Sequence, residues 1–109
     1  MGEELKILGQ SDPSATTLTT VYTVPSSANT VVSTITVANR SATPTSFRIS
    51  VSPAGIADSD EQYLYYDIAI PANDTFAATL GVTLEEDDEV RVYATLATLS
   101  FNIFGSELT

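Results

Sequence analysis

Apolar side chains alternate with serine, threonine and charged side chains along most of this chain, with a period of two residues. The clearest alternating run is Thr30 to Ala38, and in Phe47 to Val51 an arginine and a serine separate the apolar residues. Such alternation is typical of β-strands that have one face in a core and the other in water. Further runs predict strands at residues 63–70, 76–80, 90–94 and 99–103, and weaker ones at 5–8 and 18–24.

Residues that favour turns separate these runs. They lie at Ser11–Ser14, Val24–Ser27, Asn39–Ala42, Ser52–Gly55, Pro71–Asp74 and Gly105. Seven or eight short strands at this spacing predict an all-β fold, namely a single antiparallel β-sandwich over residues 1–109. We expect it to be of the jelly-roll or immunoglobulin-like type, with residues 1–11 as an N-terminal arm or an edge strand.

The alternation also assigns one face of each strand to the core. In the clearest run it puts Val31 in the core, and in the aromatic run it puts Leu64 and Tyr66 there. Tyr63 and Tyr65 then fall on the polar side of that strand. The predicted core comprises Val31, Ile35, Val37, Phe47, Ile49, Leu64, Tyr66, Ile68, Phe76, Leu80, Val90, Val92, Phe101 and Ile103.

Composition removes many kinds of chemistry. The 109 residues include no histidine and no cysteine, which excludes thiol nucleophiles, Ser-His-Asp triads and zinc sites of the Cys/His type. Four basic residues against fourteen acidic ones give a net charge of −10, and no basic patch is present to bind nucleic acid. We therefore expect an acidic domain that is not an enzyme, uses no cofactor and binds no nucleic acid.

Membrane insertion and export are not expected either. No stretch approaches the ~20 apolar residues of a membrane span. The segment Met1 to Lys6 lacks the basic and apolar regions of a signal peptide. The sequence therefore predicts synthesis in the cytoplasm and no membrane partner.

Two acidic groups are candidates for chemistry. Glu85–Glu89 offers hard oxygen ligands for Ca²⁺, but it lacks the alternating ligands and the glycine of an EF-hand loop. A solvated turn whose charges protect a sheet edge is the preferred interpretation, and no metal is predicted. Asp58–Glu61 could supply a glycosidase carboxylate pair, although nothing in the spacing implies a cleft for a sugar.

Aromatic and basic residues on the polar faces are candidates for protein contacts. Tyr63, Tyr65 and Tyr93 either anchor an interface or pack across strands, and stacking on a sugar is a third alternative. Arg48 and Arg91 either form surface ion pairs or make bidentate bonds to a carboxylate across a subunit contact.

The N-terminal segment is a further candidate. Leu5 and Ile7 belong to a terminal strand that lacks a local hairpin partner, and such strands are easily donated to a neighbour.

Several segments resemble small all-β virion structural proteins of tailed bacteriophages, of the decoration, neck or fibre-associated type. They are residues 8–11, Thr16–Pro25, Val31–Arg40 (VVSTITVANR), Tyr63–Asp74 (YLYYDIAIPAND) and Leu84–Thr109. The resemblance covers most of the chain, and its motifs are turn and core residues without catalytic content. Members of this family often have glycine or alanine near the start of the acidic run, where this chain has Glu85 and Glu86.

The resemblance implies a non-enzymatic structural protein located in the virion. The expected partners are other virion proteins (major capsid, neck or tail) and further copies of the chain in a homo-oligomer. The main alternative is a carbohydrate- or receptor-binding β-sandwich module of a phage fibre.

Overall fold

A computed structural model describes residues 2–109, which form eight β-strands and two short 3₁₀ turns. The strands are β1 (Glu3–Ser11), β2 (Thr19–Thr23), β3 (Asn29–Asn39), β4 (Thr45–Ser52), β5 (Tyr63–Ile70), β6 (Thr75–Glu85), β7 (Glu89–Ala94) and β8 (Leu99–Leu108). The 3₁₀ turns, Pro53–Gly55 and Asp60–Gln62, lie between β4 and β5. From Gly2 onward the chain has no helix whose length and apolarity would let it cross a membrane.

The described strands pack as two antiparallel four-stranded sheets, ordered β1-β8-β3-β6 and β2-β7-β4-β5. Apart from the β4–β5 pair, consecutive strands lie in opposite sheets. The predicted all-β sandwich is therefore confirmed. Of the two types that the sequence left open, this strand order is that of the jelly roll, in which the chain repeatedly crosses between the two sheets.

The core lies between the sheets. Phe47 and Phe101 are fully buried, and their rings meet edge to face with centroids 6.2 Å apart. The predicted core positions Ile35, Val37, Phe47, Ile49, Val90, Val92, Phe101 and Ile103 are all buried. Ile68, Phe76 and Leu80 are half-buried and pack against these residues. Strand β6 continues past Leu80, where the prediction ended it, because Val82 and Leu84 extend the inward apolar row.

The predicted core face of β3 is wrong for half of the strand. Val32, with 1% of its surface exposed, points inward, and Val31 is only half-buried. The pairing of β3 with both neighbours shifts register between Val32 and Thr34. Relative to β8, this shift adds one residue to β3, and an added residue moves the side chains beyond it to the opposite face. The inward face therefore holds Ile35 and Val37 on one side of the bulge and Val32 on the other.

The predicted core face of β5 is also wrong. Leu64 and Tyr66 are exposed by 41% and 54%, whereas Tyr65 packs against Phe76 with ring centroids 5.3 Å apart. Two register shifts in the β4–β5 pairing each add a residue to β5. Asp67, in the second of them, has a left-handed backbone with φ of 52°. These bulges turn Tyr65 inward and leave Leu64 and Tyr66 outside.

The N-terminal segment forms an edge strand within its own chain. Strand β1 pairs with β8 from Glu3 opposite Leu108 to Ser11 opposite Phe101. Its donation to a neighbouring molecule, as an arm, stays a prediction.

A buried charge ties this edge to the other sheet. Glu107 accepts hydrogen bonds from Lys6 Nζ (3.0 Å) and from the Tyr22 hydroxyl (2.6 Å). These bonds, that from Tyr22 first, lower the pKa of Glu107. Burial, and then the bond to Glu107, raises the pKa of Tyr22 to about 12.

Candidate protein-interaction site

The outer face of the β2-β7-β4-β5 sheet brings together side chains from three strands. Phe47 and Ile49 point into the core, so Arg48 between them points outward. Tyr93 lies directly opposite Arg48 on β7, and the bulged strand β5 adds residues from the other side. We call Arg48, Tyr63, Tyr66, Asp67 and Tyr93 the tyrosine–arginine cluster.

Arg48 is held in place by three neighbours. Its Cζ lies 4.1 Å from the ring centroid of Tyr66 and 4.3 Å from that of Tyr93. Its Nε donates to Asp67 Oδ1 at 2.7 Å, and its Nη2 lies 3.4 Å from Oδ2. The bond to Asp67 raises the pKa of Arg48. Cation–π contacts and a bidentate ion pair therefore hold the guanidinium group in one position within the chain.

Tyr63 extends the cluster toward the acidic turn before β5. Its ring meets that of Tyr66 edge to face, with centroids 5.0 Å apart and an angle of 89°. The Tyr63 hydroxyl donates to Asp58 Oδ2 at 3.2 Å, and burial followed by this bond raises the pKa of Tyr63. Asp60, Tyr63 and Tyr66 line a shallow depression at this end of the cluster.

The structure therefore gathers some of the predicted interface residues and separates others. Arg48, Tyr63 and Tyr93 lie in one cluster, but Tyr65 points toward the core. Tyr66, which the sequence analysis assigned to the core, takes its place. Aspartate is among the residues that tolerate a left-handed backbone, so Asp67 directly after Tyr66 is the sequence signal that indicates the bulge.

Arg91 is engaged within its own chain. Its Nε donates to Glu89 Oε1 at 3.1 Å, and its Nη2 donates to the carbonyl oxygen of Gly55 at 3.2 Å. Glu89 Oε1 also accepts the hydroxyl of Thr20 at 3.0 Å. These contacts give Arg91 a structural role, because they tie β7 to the 3₁₀ turn and to β2.

Leu5 and Ile7 lie on the other sheet, away from the tyrosine–arginine cluster. They are 83% and 53% exposed, and Ile7 pairs with Phe104 on β8. They form a small apolar edge on the outer face of the β1-β8-β3-β6 sheet.

The acidic run Glu85–Glu89 forms the turn between β6 and β7, and one of its side chains stabilises that turn by hydrogen bonds. Asp88 accepts the backbone N–H groups of Ala54 (2.8 Å) and Glu85 (2.9 Å) with its two carboxylate oxygens. Asp87 occupies a left-handed position with φ of 71°. Within residues 2–109 no group of three or more acidic side chains is arranged to hold a metal ion.

The second acidic group also makes local bonds. Ser59 Oγ donates to Glu61 Oε2 at 2.7 Å, and this bond lowers the pKa of Glu61. A lowered pKa is the opposite of what a glycosidase general acid needs.

Family models, curated proteins and solved structures provide no match to this chain.

Proposed function

We propose that this protein is a non-enzymatic structural component of a bacteriophage virion. In this role it is a capsid decoration protein or a neck- or tail-associated one, synthesised in the host cytoplasm. Its partners are other virion proteins and further copies of itself, held by repeated contacts that symmetry multiplies. The sequence segments that resemble phage structural proteins support the proposal.

The tyrosine–arginine cluster is the observation that carries the binding role. Tyrosine and arginine, together with tryptophan, are enriched at the energetic centres of protein interfaces. Arg48 is already fixed by Tyr66, Tyr93 and Asp67, so binding a partner costs little side-chain entropy. The cluster is a rigid, partly apolar surface whose polar groups are hydrogen-bonded within the chain, and such a surface suits a protein partner.

The charge of the chain limits the partner surface. At −10, each copy repels acidic proteins, and Asp58 and Asp60 lie beside the cluster. We expect the partner surface to carry basic residues around an apolar centre. Binding should then weaken as salt is raised, because salt screens attraction between exposed charges.

Mass spectrometry of purified virions tests the proposal. We expect the protein in the particle at many copies. Abundance in infected cells together with absence from particles would refute the structural role.

Two matched variants test the cluster itself. Tyr66→Ala truncates an exposed ring and should lower occupancy on particles by roughly tenfold or more. Leu5→Ala truncates an exposed apolar residue on the opposite face and should leave occupancy unchanged. Leu5→Ala should keep the melting temperature of the parent, and Tyr66→Ala should remain folded after losing about 1 kcal/mol from its contact with Arg48. The reverse pattern of occupancy would assign the contact to β1 instead.

Carbohydrate or receptor binding by a phage fibre module is the second candidate. The exposed ring of Tyr66 beside Tyr63 and Asp60 favours it, because an aromatic face next to a carboxylate can stack on and hydrogen-bond a sugar. A glycan array with and without calcium distinguishes the two functions. Glycan binding that is lost in Tyr66→Ala would support this alternative.

A further inference from the structure

Strand β6 is an edge strand whose free side carries neither a charge nor a proline, although its pairing with β3 contains one bulge between Thr79 and Val82. It pairs with β3 on one side and ends the β1-β8-β3-β6 sheet. Residues 75–84 contain no charged residue and no proline. Exposed and half-buried side chains alternate without interruption from Thr75 to Thr83. Natural proteins usually block such an edge, because its free N–H and C=O groups pair readily with another strand.

The other three edge strands each have a protective feature. Strand β1 carries Glu3, Glu4 and Lys6. Strand β2 has five residues, too few for extensive pairing. Strand β5 is bulged twice and carries Asp67 in a left-handed conformation. Strand β6 has a bulge, as β5 does, but it has eleven residues and no charge from Thr75 to Leu84. This long uncharged edge indicates that the free side of β6 is used.

The core is incompletely covered along β6. Its inward residues Phe76, Leu80 and Val82 are half-buried. On the adjacent strand β3, Val32 and Ile35 are each only 1% exposed. Apolar surface that the sandwich should bury therefore remains open at this edge, and a strand added beside β6 would cover it.

The lack of charge on β6 favours an uncharged strand as the occupant, and β6 of a second copy is such a strand. Two molecules at −10 repel each other across most of their surfaces, and a neutral edge is where they can approach. The outward side chains of β6 are small and uncharged: Thr75, Ala77, Thr79, Gly81 and Thr83. A basic strand from another protein would instead be drawn to the acidic turns.

We propose that β6 pairs antiparallel with β6 of a second copy around a two-fold axis. The pairing joins the two β1-β8-β3-β6 sheets into one continuous sheet and covers the apolar row of each β6. It specifies the contact between copies that the proposed function includes, and it does not depend on any other virion protein. Asp74 and Glu85 flank the neutral segment, so like charges lie near the ends of the contact. Moderate salt should therefore strengthen the dimer, the opposite of its expected effect on a basic partner.

Sedimentation equilibrium of the full chain, from micromolar to millimolar concentration, is the first test. We expect twice the mass of one chain at the upper end. Thr79→Lys puts a charge at the middle of the edge and should raise the dissociation constant by at least about tenfold, because like charges then face each other. Thr43→Lys makes the same change in an exposed loop and should leave the constant unchanged. A monomer at every concentration, or an unaltered dimer in Thr79→Lys, would overturn the proposal.

Cysteine cross-linking is the second test, and it tests the β6–β6 contact even if Thr79→Lys fails to fold. The chain has no cysteine, so each introduced thiol reports one position. Thr79→Cys, at the two-fold axis, should give disulfide-linked dimers under mild oxidation, because the residue at the axis faces its own copy. Ala77→Cys, two residues from the axis, faces a different residue of the second copy and should give few. Thr75→Cys, at the end of the strand, and Thr43→Cys, in the loop, should give few. Equal cross-linking at all four positions would show that the disulfides form by random collision between molecules, and it would refute the proposal.

Discussion

Phe101 should be among the side chains on which the fold most depends. It is fully buried on β8, a strand that pairs with both β1 and β3. Its ring lies against Phe47 from the opposite sheet. Phe101→Ala therefore opens a cavity between the sheets and removes an aromatic contact that joins them.

The expected loss is large relative to total stability. Replacing a buried phenylalanine by alanine costs about 3 to 5 kcal/mol, whereas a domain of this size is stable by about 5 to 15 kcal/mol. With each kcal/mol worth roughly 4 to 8 °C, the melting temperature should fall by roughly 12 to 40 °C. Such a variant should also accumulate poorly in cells.

Phe104→Ala is the matched control. Phe104 is on the same strand, but it is half-buried and lies on the outer face opposite Ile7. Its truncation leaves no closed cavity and should cost about 1 kcal/mol. Urea denaturation of both variants and the parent gives the difference from the midpoints, provided that the slopes agree. Equal losses in the two variants, or an unchanged midpoint for Phe101→Ala, would refute the assignment of the core face of β8.

Two further predictions concern the closest packing and the buried charge. Gly105→Ala should be clearly destabilising, because the added Cβ would collide with the carbonyl oxygen of Val31. In the control Gly81→Ala, the added Cβ meets nothing within 4 Å, and the free energy of unfolding should change by less than about 1 kcal/mol. Equal urea midpoints for the two variants would contradict this prediction. Hydrogen bonds from the Tyr22 hydroxyl and then from Lys6 lower the pKa of Glu107 below its ordinary value of 4.5. The ionised carboxylate of Glu107 therefore stabilises the fold above pH 4.5, and this contribution is lost as the pH falls through the lowered pKa. Glu107→Gln should therefore be less stable than the parent at neutral pH, with the gap closing below pH 4.5; a gap of constant size across the acid range would disprove the coupling.

The local alternation of the sequence was sufficient to predict the fold class. Ile35, Phe47, Val92 and Phe101 are buried as predicted, because a strand without a bulge places alternate side chains on one face whatever its neighbours are. The outward position of Arg48 follows from the same local rule.

The tertiary structure decided the strand order and the membership of the candidate site. Register shifts in β3 and β5 exchanged Val31 for Val32 in the core and turned Tyr65 inward. The position of a bulge is set by pairing with strands distant in sequence, and one added residue reverses every side chain beyond it. The contacts of Arg48 with Tyr66 and Tyr93 likewise depend on register across three strands. Periodicity along a single strand specifies its two faces, whereas which residues meet across strands is fixed only when the sheets assemble.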